Sequence, residues 1–122
     1  MSDSGRGSVV NISSIHANNA TKNLAAYSAS KGAVEALSRT LALEWADTGV
    51  RVNALAPGYF ETDMTAGLRT NERLRSQLLK RIPLGRFGAP DELVPAVLFL
   101  ASDLAAYVTG STLACDGGWA AG

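Results

Sequence analysis

The chain has 122 residues, 47 % of them hydrophobic and 18 % charged, enough for one domain with a core and too apolar for a disordered segment. Eleven basic and eleven acidic residues cancel, so no net field draws the chain to nucleic acid or to an anionic membrane surface. The single cysteine, Cys115, cannot form an internal disulfide and suits a reducing, cytoplasmic setting, and no apolar run reaches the ~20 residues of a membrane-spanning helix.

Residues 2–7 form a polar, glycine-containing lead-in. Residues 8–13 are short, β-branched and bounded by glycine and serine, which predicts a buried strand running into Ser14. A polar loop over 16–23 precedes a long helix, predicted over 24–47 and stopped at Thr48-Gly49, where glycine suits a left-handed cap. One stripe of this helix carries Tyr27, Lys31, Val34, Leu37, Leu41 and Trp45. A second carries Ala26, Ala29, Ala33, Ala36 and Thr40, small enough for a sheet or another helix to approach closely.

Residues 50–56 read as a second strand that leaves sharply through Pro57-Gly58. A mostly polar stretch follows, with a short helix over 71–81. The next helix starts at Pro90 or Asp91 and ends at Ser102, so Pro95 must fall within its first turn or kink it. Residues 112–115 form a last strand entering Asp116-Gly117-Gly118. The order β-α-β-α-β predicts a single α/β domain over 1–122, one half of a doubly wound parallel sheet.

Chemistry concentrates on Tyr27 and Lys31. Their i, i+4 spacing puts phenol and ammonium on one helix face, and a nearby cation favours the phenolate. A tyrosine tuned in this way can exchange a proton with an alcohol or carbonyl oxygen. A serine hydroxyl beside that oxygen, for which Ser14 is a better match than its neighbour Ser13, would steady developing charge.

Around this trio stand Val9-Val10-Asn11-Ile12-Ser13-Ser14, Val52-Asn53-Ala54-Leu55-Ala56-Pro57-Gly58, Glu61-Thr62-Asp63-Met64, Phe99-Leu100-Ala101-Ser102-Asp103 and Asp116-Gly117-Gly118. Their order and spacing resemble the C-terminal half of the short-chain dehydrogenase/reductase family over nearly the whole chain. The resemblance implies a Rossmann-like fold and an NAD- or NADP-dependent enzyme that interconverts a secondary alcohol and a ketone. It implies Ser14, Tyr27 and Lys31 as catalytic residues, and Lys31, Pro57, Gly58 and Thr62 as contacts to the cofactor. The family's Gly-rich cofactor turn and its catalytic asparagine precede this half, and neither motif is present in the sequence. A homo-oligomer, or assembly with an N-terminal half, is therefore expected.

Ser14, His16 and Tyr59 are the expected substrate contacts. His16 is the only histidine, so no metal site is expected, and the bland reading of one loop histidine is a polar residue without a role. Residues 61–86 hold Arg69, Arg73, Arg75, Lys80, Arg81 and Arg86 against Glu61, Asp63 and Glu72. This excess would suit a carboxylated substrate, although the same spacing fits a solvated helix face. Trp45, Gly58-Tyr59-Phe60 and Gly85-Arg86-Phe87-Gly88 look most similar to the gluconate and deoxygluconate dehydrogenase branch, hence to enzymes of sugar acids. The alternative is a non-catalytic half-domain that serves only as an oligomerising module.

Overall fold

The computed structural model describes residues 5–122, so the part of the polar lead-in at residues 2–4 lies outside the described residues. Three parallel strands, β1 (Gly7–Ile12), β2 (Val50–Pro57) and β3 (Thr112–Cys115), form a sheet in the order β1-β2-β3. Gly7 pairs with Val50 and Ile12 with Leu55, while Ala54 pairs with Thr112 and Pro57 with Cys115. β2 is the central strand and reads as one: Val52, Asn53, Ala54, Leu55 and Ala56 are all buried.

Helix α1 (Ala25–Glu44) joins β1 to β2. Its alanine content gives it a strong intrinsic preference for helix. A 3-10 turn over Ala46–Thr48 tightens its end, and Gly49 stops it with φ 76°, in the left-handed region. The face that meets the sheet differs from either stripe read in the sequence. Glu35, Ser38 and Ala42 are buried, whereas Leu37 and Leu43 are exposed and the small-residue stripe faces outward. Hydrophobic periodicity missed this face because two of its three buried residues are polar. Their partners explain the burial: Ser38 Oγ accepts from Asn11 Nδ2 at 2.9 Å and donates to Val34 O at 2.8 Å.

Two short helices follow β2, α2 (Ala66–Thr70) and α3 (Glu72–Arg81), with Asn71 capping α3 by accepting from Leu74 N at 3.1 Å. A 3-10 turn over Pro90–Leu93 leads into α4 (Val94–Ala101), and Pro95 sits in the first turn, where no hydrogen bond is lost. The expected helix over 90–102 is thus a 3-10 turn joined to a shorter α-helix. Side chains alternate along a strand, so Val9, Val50 and Val52 meet α1 while Ser8 and Arg51 meet α4 on the opposite face.

Arg51 fastens α4 and the segment after it to β2. Its guanidinium donates to Leu100 O at 3.0 Å, Val108 O at 3.2 Å and Ser102 O at 2.9 Å. Arg51→Met keeps the aliphatic stem and removes all three bonds, while each carbonyl keeps one other donor: Ser8 Oγ on Leu100 O, Asn53 Nδ2 on Val108 O and Ala105 N on Ser102 O. It should lower unfolding free energy by about 1.5–3 kcal/mol in a urea titration, the scale of a charged hydrogen bond. Arg51→Lys should recover little of this, because a point ammonium cannot serve three separated carbonyls. A loss within the scatter of the titration would refute the role given to Arg51.

Candidate functional site

In a parallel sheet every strand ends at the same edge, and ligands gather in the crevice beyond it. Here the exits of β1 and β2 are held side by side: Ser13 N donates to Leu55 O at 2.7 Å, and Gly58 N donates to Cys115 O at 2.9 Å. The chain leaving β1 turns at Ser14, whose Oγ accepts from His16 N at 3.2 Å and so starts the 3-10 turn Ile15–Ala17. Ser13, Ser14 and His16 are all buried.

The start of α1 faces this turn. Lys31 Nζ donates to Ile12 O at 3.0 Å and lies 5.9 Å from the centre of the Tyr27 ring. Tyr27 sits at the mouth of the crevice with 37 % of its surface exposed. His16 lies between two tyrosines, its ring 6.5 Å from that of Tyr27 and 5.7 Å from that of Tyr59. Its Nε2 is 3.1 Å from Tyr59 Oη, and its Nδ1 is 3.1 Å from Thr21 Oγ1, so both nitrogens are partnered.

Tyr59 anchors the opposite wall. Its ring centre lies 5.0 Å from that of Trp119 and 6.2 Å from that of Phe87, and the Arg81 guanidinium stacks 4.0 Å over Trp119. Burial pushes the Tyr59 phenol above its ordinary pKa, partly offset by Arg81 and reinforced by Tyr27. Behind this wall, Arg86 grips Glu92 through two bonds of 2.7 Å and holds its carboxyl down at about 2, with Ala89 N adding a third bond. This strap fixes Gly88, which donates to Tyr59 O at 2.9 Å.

A cavity of about 470 Å³ opens between the two walls. Ser14, His16, Tyr27 and Lys31 border it on one side; Pro57, Gly58, Tyr59 and Thr62 border it on the other. The cavity is thus bordered by all eight residues expected as catalytic, cofactor or substrate contacts, and by none of the basic residues of 61–86. Thr62 is exposed on the rim, where Arg69 ties its carbonyl at 3.1 Å and reaches Thr65 Oγ1 at 3.3 Å. Three of the six basic residues of 61–86 are committed: Arg69 braces this rim, Arg81 stacks on Trp119 and Arg86 pairs with Glu92.

Sequence reasoning missed the apolar lining from Leu24, Phe60, Leu68 and Leu93, and the buried carboxylate of Glu35 behind the turn. The sequence signal for Glu35 is its place four residues after Lys31, in the i, i+4 series Tyr27, Lys31, Glu35. Among the described residues no group of three His, Cys, Asp or Glu could hold a metal ion, and no helix is long and apolar enough to cross a membrane.

A family model described as enoyl-(acyl carrier protein) reductase matches residues 1–120. The chain is 50 % identical over 117 residues to galactitol 2-dehydrogenase (L-tagatose-forming) of Cereibacter sphaeroides, covering 94 % of this chain and 46 % of that protein. It is 44 % identical over 115 residues to 2-dehydro-3-deoxy-D-gluconate 5-dehydrogenase of Bacillus subtilis, covering 94 % and 45 %. Among solved structures, a gluconate 5-dehydrogenase from Burkholderia cenocepacia in complex with NADP and tartrate superposes with a TM-score of 0.96 at 40 % identity. That match covers 99 % of this chain and 48 % of that one. The chain spans about half the length of the curated relatives it matches.

Gly58 forms the floor between the two walls. A Cβ built there would lie 2.7 Å from Asp116 Cβ and 2.8 Å from Asp116 Cα, too close for any flexible atom to yield. Gly58→Ala should therefore force the exits of β2 and β3 apart and cost about 1–3 kcal/mol, the usual range for overpacking. Backbone amide shifts should move at residues 57–62 and 115–118. A variant with wild-type stability and unmoved shifts would show the crevice floor to be looser than its geometry implies.

Proposed function

The chain belongs to the short-chain dehydrogenase/reductase family, and on that premise we propose that it carries the acid/base half of an NAD- or NADP-dependent oxidoreductase acting on a secondary alcohol or the corresponding ketone. One observation carries the reading: Ser14, Tyr27 and Lys31, from two different elements, converge on a single cavity at the carboxyl ends of the strands. The names of relatives give galactitol, gluconate and 2-dehydro-3-deoxy-D-gluconate as substrates, so polyhydroxylated substrates, sugar acids included, are the class we assign.

The residues fit a nicotinamide cofactor. Lys31 spends one N–H on Ile12 O and keeps two donors for a ribose diol, while the Pro57-Gly58 backbone and Thr62 border the same cavity. The cofactor, when bound, accepts the hydride from the alcohol carbon or supplies it to the ketone. In oxidation Tyr27 takes the proton from the alcohol oxygen, and in reduction it returns one. Ser14 Oγ already accepts the His16 amide, which leaves its own hydrogen for the substrate oxygen. His16 and Tyr59 would face the rest of the substrate with a nitrogen and a hydroxyl that now bond each other. The free thiol of Cys115 is in keeping with a cytoplasmic location.

Tyr27→Phe should cut kcat by about 10²–10⁴-fold, the usual worth of acid/base catalysis, and leave cofactor binding nearly unchanged. Ser14→Ala should cost less. Lys31→Ala should weaken cofactor binding as well. Turnover of gluconate, galactitol and their keto forms with each cofactor, in a full-length or complemented form, is the measurement, and a fully active Tyr27→Phe variant would end this reading.

We also infer self-association through residues 24–47. On α1, Leu37 is 53 % and Leu43 82 % exposed beside the outward small-residue stripe, and apolar area left in water costs about 25 cal/mol per Å². Sedimentation should report a dimer or larger species, reduced by Leu37→Glu with Leu43→Glu. A compact monomer at tens of micromolar would refute it.

A further inference from the structure

Glu35 lies on α1 one turn beyond Lys31, yet it is only 3 % exposed. Its Oε1 accepts from Ser13 Oγ at 2.8 Å and its Oε2 accepts from Asn18 Nδ2 at 2.7 Å. Those two donors stand at the two ends of the turn that carries Ser14 and His16. Among the described residues no Lys or Arg pairs with the carboxylate, so neutral donors alone hold it. Burying a carboxylate on two neutral bonds is a poor way to gain stability, because an apolar side chain of the same volume would avoid the desolvation. What the carboxylate supplies instead is geometry: two oxygens at fixed separation, on a rigid helix, gripping both ends of one short turn.

We propose that Glu35 is a positioning residue, which sets the placement of Ser14 and His16 relative to Tyr27 by clamping the 13–18 turn to α1. Lys31 makes the companion tie one turn earlier, through Ile12 O. With residues 12, 13 and 18 all fastened to the same helix, the hydroxyl of Ser14 has little freedom to drift from the Tyr27 side of the cavity. The proposal rests on the reading of Ser14 and Tyr27 given above for its catalytic consequence, and on the hydrogen bonds for its structural one.

Glu35→Gln preserves both links, since the introduced amide can accept from Ser13 and donate to an Asn18 amide that has flipped. Glu35→Leu removes both, and Asn18→Ala removes one. Amide exchange followed by NMR should speed up at least ~10-fold at His16 in Glu35→Leu, while Val52 and Asn53 in the central strand stay protected. Glu35→Gln should remain near the wild type and Asn18→Ala should fall between. In turnover, Glu35→Leu should lose up to about 10²-fold in kcat with the cofactor KM little changed, as expected of misplacement rather than lost binding. Asn18→Ala supplies the same comparison should Glu35→Leu not fold. Exchange that rises equally in the sheet, or a folded Glu35→Leu variant with wild-type kcat, would overturn the proposal. A fully active Tyr27→Phe variant would instead defeat the acid/base reading and leave the His16 exchange result standing.

Discussion

The parallel register of β1 on β2 is the constraint from which the rest of the site follows. Ile12 opposite Leu55, extended by the Ser13–Leu55 bond, forces both chains to leave the sheet at one level. Ser14 and Gly58 then face each other by necessity. β3 ends at the same edge, and the Gly58–Cys115 bond of 2.9 Å closes the floor. A slip of one residue in β1 would turn Ser14 to the opposite face and separate it from α1.

Holding α1 against the sheet is a separate problem with a polar solution. The buried face of the helix offers Glu35 and Ser38, and the strand and turn opposite offer Asn11, Ser13 and Asn18. Each of these bonds contributes little net free energy, but leaving any partner unmet inside the protein is expensive. Polar contact of this kind tolerates few alternatives in rotation or register, whereas a purely apolar face could slide. A helix that must present Tyr27 and Lys31 at a defined angle gains more from such specificity than from extra burial.

Element order, strand identity, the Gly49 stop and the convergence of Ser14, Tyr27, Lys31 and Gly58 were legible in the sequence because each leaves a local signature. β-branched runs mark strands, glycine marks the cap, and the motif spacings carry the family. The inward face of α1 was not legible, since reading apolar stripes assumes that burial follows hydrophobicity. Glu35 and Ser38 are buried against side chains that lie 17, 22 and 27 residues away in sequence, which no local window contains. The arginine-rich segment was ambiguous for a similar reason: Arg81 is explained by Trp119, Arg86 by Glu92 and Arg69 by the Thr62–Thr65 turn, none of which periodicity reveals.

Two tyrosines border the cavity, and their surroundings divide the work between them. Tyr59 is enclosed by Trp119, Phe87 and His16, and burial raises its phenol above its ordinary pKa. It remains an O–H group bonded to His16 Nε2, suited to recognition and unsuited to taking a proton. Tyr27 stands at the mouth, one helical turn from an ammonium and open to an incoming oxygen. The proposed assignment of proton transfer to Tyr27 therefore rests on access and on the position of Lys31, and the same proposal gives Tyr59 the task of reading what lies beyond the reacting carbon.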